Sequence, residues 1–173
     1  MASWKTKTYG LSLLGTLLAA FLLTSTAVAM SQLAVRTERS TQTNRELQTA
    51  TALGREGVEL VRALRDTNWF LGRDDGRHWT EGLCDTTEFT LDPATVRRLD
   101  PVGDKEKSPL YIADNGEWVH EETGQPTAYE RLLSVDCGEK DTSILVTAAV
   151  SWRGADRGNH QWVVSERLYD WFL

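Results

Sequence analysis

The sequence predicts an α+β chain: a long N-terminal helix, transmembrane in its first half, packed on a C-terminal antiparallel β-sheet. Three observations predict it. No charged side chain stands between Lys7 and Arg36, a proline-free stretch from Arg36 to Arg65 carries apolar residues on one helical face, and the rest reads as short strands separated by turns. The chain has 173 residues, 40% hydrophobic and 25% charged, with a net charge of -6. That is one ordinary domain plus an appendage. All 25 acids lie from Glu38 onward, against 17 of the 19 bases from Arg36 onward, so the body carries 17 minus 25, or -8. An acidic body argues against a broad nucleic-acid surface, which needs clustered Lys and Arg, and no nucleic-acid partner is expected.

Thr8 to Val35 is uncharged over 28 residues. As a helix it would reach ~42 Å, more than the ~30 Å hydrocarbon core of a bilayer. Its richest stretch, Leu11 to Met30, includes Leu13, Leu14, Leu17, Leu18, Phe21, Leu22, Leu23 and Val28. Lys5 and Lys7 precede it, whereas Arg36, Glu38 and Arg39 beyond it nearly cancel. This bias predicts a single-pass protein with a cytoplasmic N-terminus and an extracytoplasmic body in the cytoplasmic membrane. The competing reading is a secretory signal peptide cut after Ala27-Val28-Ala29, although an apolar core from about Tyr9 to Ser25 is long for that class.

Beyond the apolar segment the helix is expected to continue. Arg36 to Thr51 is polar and rich in Thr, Gln and Asn, which suits a solvated stem, and Leu47, Ala50, Leu53, Val58, Val61 and Leu64 follow at steps of three or five. Gly54 and Gly57 lie in this stripe, where they would let a sheet approach closely. Glu56 and Glu59 beside Arg55 and Arg62 read as solvated ion pairs. Asp66-Thr67-Asn68 reads as a helix stop, with Trp69, Phe70 and Leu71 folding back.

The body then reads as strands. Gly72 to Gly76 is a loop on turn chemistry, and Thr86 to Leu91 alternates. Leu110 to Ile112 and Trp118 to His120 form a hairpin around Asn115-Gly116. Tyr129 to Val135 leads into Ser143 to Trp152, and a loop from Arg153 to Asn159 returns to Gln161 to Leu168. Arg97 to Lys107 is expected to be an exposed loop. Consecutive hairpins give an antiparallel sheet whose apolar face the helix can cover. Trp152, Trp162 and Trp171 read as packing residues of the last hairpin.

Two segments carry a family resemblance. Gly10-Leu11-Ser12-Leu13-Leu14-Gly15, after a leader bearing Lys5 and Lys7, resembles the class III signal of type IV prepilins. Arg55 to Trp69, with Glu56-Gly57-Val58-Glu59, Val61-Arg62, Arg65-Asp66 and Asn68-Trp69, resembles a segment of prepilin-like minor pilins of the PilV type. So does the end of the chain, Val150-Ser151-Trp152, Val163-Val164 and Leu168-Tyr169-Asp170-Trp171.

The resemblance implies a pilin-like fold: leader 1–10, transmembrane half-helix 11–35, extracytoplasmic half-helix 36–70 and sheet domain 71–173. It implies a non-enzymatic subunit of a type IV pilus or type II secretion-like filament. A prepilin peptidase would cut between Gly10 and Leu11, Leu11 would be N-methylated, and other pilin subunits, the assembly platform and the membrane would be the partners. The pattern's fifth mature residue is Glu, whereas here it is Gly15. That departure implies a special position, such as a tip or an initiation complex. The alternative is a secreted or membrane-anchored β-rich binding domain outside any filament.

Cys84 and Cys137, both in the extracytoplasmic region, are candidates for one disulfide, with two free thiols as the alternative. No cofactor is expected. His78, His120 and His160 lack paired metal-ligand spacing, and no nucleophile elbow, zinc-protease helix or phosphate-binding glycine loop occurs. Asp74, Asp75, Glu121 and Glu122 stand at turn positions, and no catalytic residue is expected.

Overall fold

The computed structural model describes residues 9–75, 78–84, 88–98, 103–104, 108–138 and 142–170. The elements are α1 (Tyr9–Asp75), β1 (Glu88–Thr90), α2 (Pro93–Arg98), β2 (Gly103–Asp104), β3 (Pro109–Ile112), β4 (Trp118–Val119), β5 (Gln125–Asp136), β6 (Ser143–Arg153) and β7 (Asn159–Tyr169). The chain divides into two compact units, Met1–Thr43 and Asn44–Leu173.

In the first unit every described side chain from Leu13 onward is exposed, including the large apolar ones. Its Ser and Thr hydroxyls turn back on their own backbone, as Thr24 does on the Ala20 carbonyl at 3.0 Å, Thr26 on Leu22 at 3.0 Å and Thr37 on Leu33 at 2.9 Å. The polar atoms are thereby satisfied without leaving the helix.

The second unit is a helix on a sheet. Ala50, Leu53, Val58, Val61 and Leu64 of α1 are buried, at spacings that place them on one face. Opposite them, β6 buries every second residue, Ile144, Val146, Ala148, Val150 and Trp152, as a strand with one covered face must. β5, β6 and β7 form the continuous antiparallel centre, with Leu133 beside Ala148 and Ala148 beside Val164. The other edge of β5 is shared. β1 pairs with its C-terminal part at Leu133 and Ser134, and β3 with its N-terminal part between Gln125 and Glu130. β2 extends β1 and β4 extends β3.

Two buried clusters fill the space. One joins Val58, Val61 and Leu64 to Phe89, Leu133 and Val146, and the other joins Ala50 and Leu53 to Leu110, Val150 and Trp152. Cys84 and Cys137 form a disulfide, Cα atoms 6.0 Å apart, that ties the segment after α1 to the end of β5. Closing a loop with a sequence separation of 53 stabilises the fold by about 4 kcal/mol in the chain-entropy model.

The hairpin around Asn115-Gly116 is present, with Gly116 at φ 84° and the Asn115 side chain accepting from the Glu117 amide at 3.0 Å. The structure differs from the sequence reading in three places. α1 does not stop at Asp66-Thr67-Asn68 but runs to Asp75, so Trp69, Phe70 and Leu71 do not fold back and Gly72 to Asp75, expected as a loop, are the end of the helix. Asn68 is 1% exposed there, and its amide donates to the Glu81 carbonyl at 2.8 Å, so its capping chemistry serves the following segment instead of ending the helix. The stretch from Arg97 to Lys107 contains the end of α2 and all of β2, which pairs with β1. β5 begins at Gln125, four residues before the expected Tyr129, because Pro126 pairs with Tyr111 of β3 near the strand's start, where proline is tolerated.

Candidate functional site

The functional residues read from the sequence cluster at the start of α1. The leader bases Lys5 and Lys7 lie outside the described residues. Gly10 and Leu11 stand in the first turn of α1 as described, their backbone helical. Gly15 is exposed, and a Cβ built there meets nothing within 4 Å, so the helix has room for a larger side chain at that position.

The segment that follows is long and apolar enough to cross a membrane, with a mean hydropathy of 2.0 over its best window and none of that window buried. Leu13, Leu14, Leu17, Leu18, Phe21, Leu22 and Leu23 are each more than half exposed. On membrane-insertion scales these seven side chains favour the bilayer by roughly 2 to 4 kcal/mol together. In water the same surface is a liability. The chemistry this segment offers is partition into lipid or onto other apolar helices.

In the second unit, the helix face rests on the sheet through its glycines. A Cβ at Gly54 would stand 2.5 Å from Cζ3 of Trp162, and one at Gly57 would stand 2.8 Å from Cδ2 of Leu133 and 3.2 Å from Cδ of Arg131. The close approach expected at these two positions is therefore present.

The sequence reading missed what lies beneath Gly57. Arg131 of β5 is wholly buried. Its Nη1 donates to the Leu53 carbonyl at 3.3 Å, its Nη2 to the Leu91 carbonyl at 2.9 Å, and Nη1 is 3.5 Å from a Glu56 carboxylate oxygen. Asp92, also buried, accepts from the His120 amide at 3.0 and 3.1 Å. Burial lowers the Arg131 pKa, against the opposing pull of Glu56 and then Asp92. It raises both carboxyls, with Arg131 drawing each of them back. A charge enclosed this way needs such partners.

Glu56 is thus more than the solvated helix charge expected of it. Arg62 does behave as expected toward Glu59, at 2.6 Å, and also pairs with Glu166 of β7. A second missed residue is Glu46. Its carboxylate accepts from the Ala155 amide at 3.2 Å and the Trp152 indole at 3.4 Å, fastening the helix to the β6–β7 hairpin. Alternation sets Arg131 on the same face of β5 as Leu133 and Val135, but nothing local in the sequence names the carbonyls and carboxylates that receive it.

The three histidines stay apart in their bonding. His78 pairs with Thr80, His120 with the Pro109 carbonyl and His160 with Asp156. Among the described residues no group of three or more His, Cys, Asp or Glu side chains could hold a metal ion. Glu121 and Glu122 are exposed, while the side chains of Asp74 and Asp75, and all of Trp171, lie outside the described residues.

Comparison with protein-family models, with curated proteins and with solved structures finds no match to this chain.

Proposed function

We propose that the chain is a minor pilin or pseudopilin, a non-enzymatic subunit of a type IV pilus or type II secretion-like filament. On this reading Lys5 and Lys7 hold the N-terminus in the cytoplasm, residues 11–35 cross the inner membrane once, and the sheet unit stands outside. A prepilin peptidase cuts between Gly10 and Leu11, and the assembly platform draws the apolar helix among those of other subunits. The chemistry belongs to the peptidase and the motor, and this chain contributes shape and an adhesive helix.

The observation that carries the reading is a single helix, Tyr9–Asp75, that joins a fully exposed apolar stretch directly to the spine of an antiparallel sheet. A secretory signal has no reason to continue into the folded body. The prepilin-like Gly10-Leu11 start and the Arg55 to Trp69 segment point the same way. Gly15 leaves no carboxylate at membrane depth, where one would be costly without a partner, and this favours a tip or initiation position that lacks one neighbour.

The test is the mass of the mature N-terminus in membranes containing a prepilin peptidase. A chain starting at Leu11, carrying one methyl group on its amine, is the expected result. A start at Met30 overturns the proposal in favour of a secreted binding domain, and an uncut chain overturns it in favour of a plain membrane anchor.

A further inference from the structure

Among the described residues β7 pairs on one side only, with β6, in a register unbroken from Asn159 opposite Arg153 to Tyr169 opposite Ser143. Its outer edge therefore presents amide and carbonyl groups along 11 residues, ~37 Å at about 3.4 Å each, of which the terminal Tyr169 carbonyl accepts from Arg65 at 3.5 Å. Proteins that leave such an edge unused blunt it with proline, lysine, a bulge or shortness. β7 has no proline, no lysine and no register shift, and its only acid and arginine, Glu166 and Arg167, stand together near its end. The opposite margins, β2 and β4, are two residues each.

The side chains at this edge are also left half-covered. Toward the helix, Trp162 and Val164 are only partly buried, and on the other face Val163 and Tyr169 remain 50% and 57% exposed. An added strand would cover both faces at once. The margin differs in charge from the body around it. From Arg153 to Tyr169, three arginines face two acids, Asp156 and Glu166, for +1 on a body of -8, and Glu166 is already taken by Arg62.

We infer that the outer edge of β7 is a docking edge for an extended strand of a different polypeptide, apolar where it passes Val163 and acidic where it passes Arg167. A second copy fits poorly. Antiparallel pairing of β7 with itself that keeps inner faces together places a two-fold axis perpendicular to the sheet. Residues opposite one another then share a face, so Arg167 could stand only against Asn159, Gln161, Val163, Ser165, Arg167 or Tyr169 of the other copy, none of them acidic.

The test places p-benzoylphenylalanine at Gln161 of the full chain in its native membrane, with the same probe at Glu122 as a control. Irradiation is expected to give, from position 161 only, an adduct with a different protein whose cross-linked peptide is an extended, acid-bearing segment. Val163→Lys should cut that adduct by about tenfold, the loss of roughly 1.4 kcal/mol, without changing the melting temperature. A synthetic copy of the segment should bind the purified full chain and lose about tenfold or more when alternate amides are N-methylated, because several backbone hydrogen bonds are removed. No adduct, an equal adduct from Glu122, or binding indifferent to N-methylation overturns the inference. So does an adduct with a second copy.

Discussion

Arg131 occupies a position where apolar side chains are the rule, and its cost is met by groups from two separate segments: Leu53 and Glu56 of α1, and Leu91 and Asp92 between β1 and α2. Truncating one partner of such a buried set leaves the others desolvated and uncompensated. Arg131→Ala is therefore expected to lower the unfolding free energy by about 3 to 5 kcal/mol in urea denaturation. Arg131→Met with Glu56→Gln, which fills the volume and removes the nearest opposing charge, should recover most of that loss. A loss below about 1 kcal/mol for Arg131→Ala would mean that the guanidinium is solvated in solution. The disulfide between Cys84 and Cys137 holds the same region from outside, through the end of β5.

At the scale of elements, the helix-to-sheet contact depends on two missing side chains, and the two glycines should respond differently. Alanine in either place gains about 1 kcal/mol of helix propensity. At Gly57 the new methyl would press on Leu133, which is 0% exposed, and on Arg131. Overpacking there costs about 1 to 3 kcal/mol, so Gly57→Ala should destabilise. At Gly54 the obstacle is Trp162, half-buried on the edge strand and able to shift, so Gly54→Ala should lie closer to neutral. Denaturation midpoints in the reverse order would show that the sheet edge is the rigid part.

This contact was legible in the sequence because glycines inside an otherwise periodic stripe have few other reasons to be there. The apolar segment, the Asn115-Gly116 hairpin and the β6–β7 pairing were legible for the same reason, since each rests on local pattern. Asn68 and Arg131 were not. Their roles come from the Glu81 and Leu91 carbonyls, which only the folded chain brings to them. The strand β2 was hidden because its two residues gain meaning only beside β1.

For the whole molecule, a mean hydropathy of -0.38 blends an exposed apolar stretch with a charged sheet unit. The buried clusters draw on Ala50 and later residues, and every described side chain from Leu13 to Arg45 is exposed. Nothing in the core of the second unit thus comes from the apolar segment. A fragment from Arg36 to Leu173, oxidised at Cys84 and Cys137, is expected to be soluble and to melt cooperatively. Exposed residues change stability by about 0.5 kcal/mol or less, so its midpoint should lie within about 2 °C of the full chain in lipid nanodiscs. The full chain without lipid should instead self-associate through Leu13 to Leu23. Differential scanning calorimetry of the fragment, with light scattering of both, separates the possibilities. If the fragment melts broadly or far below the full chain, the apolar segment supports the fold of the second unit. The sheet unit would then be no independent passenger on its helix, and residues before Asn44 would belong to its folding unit.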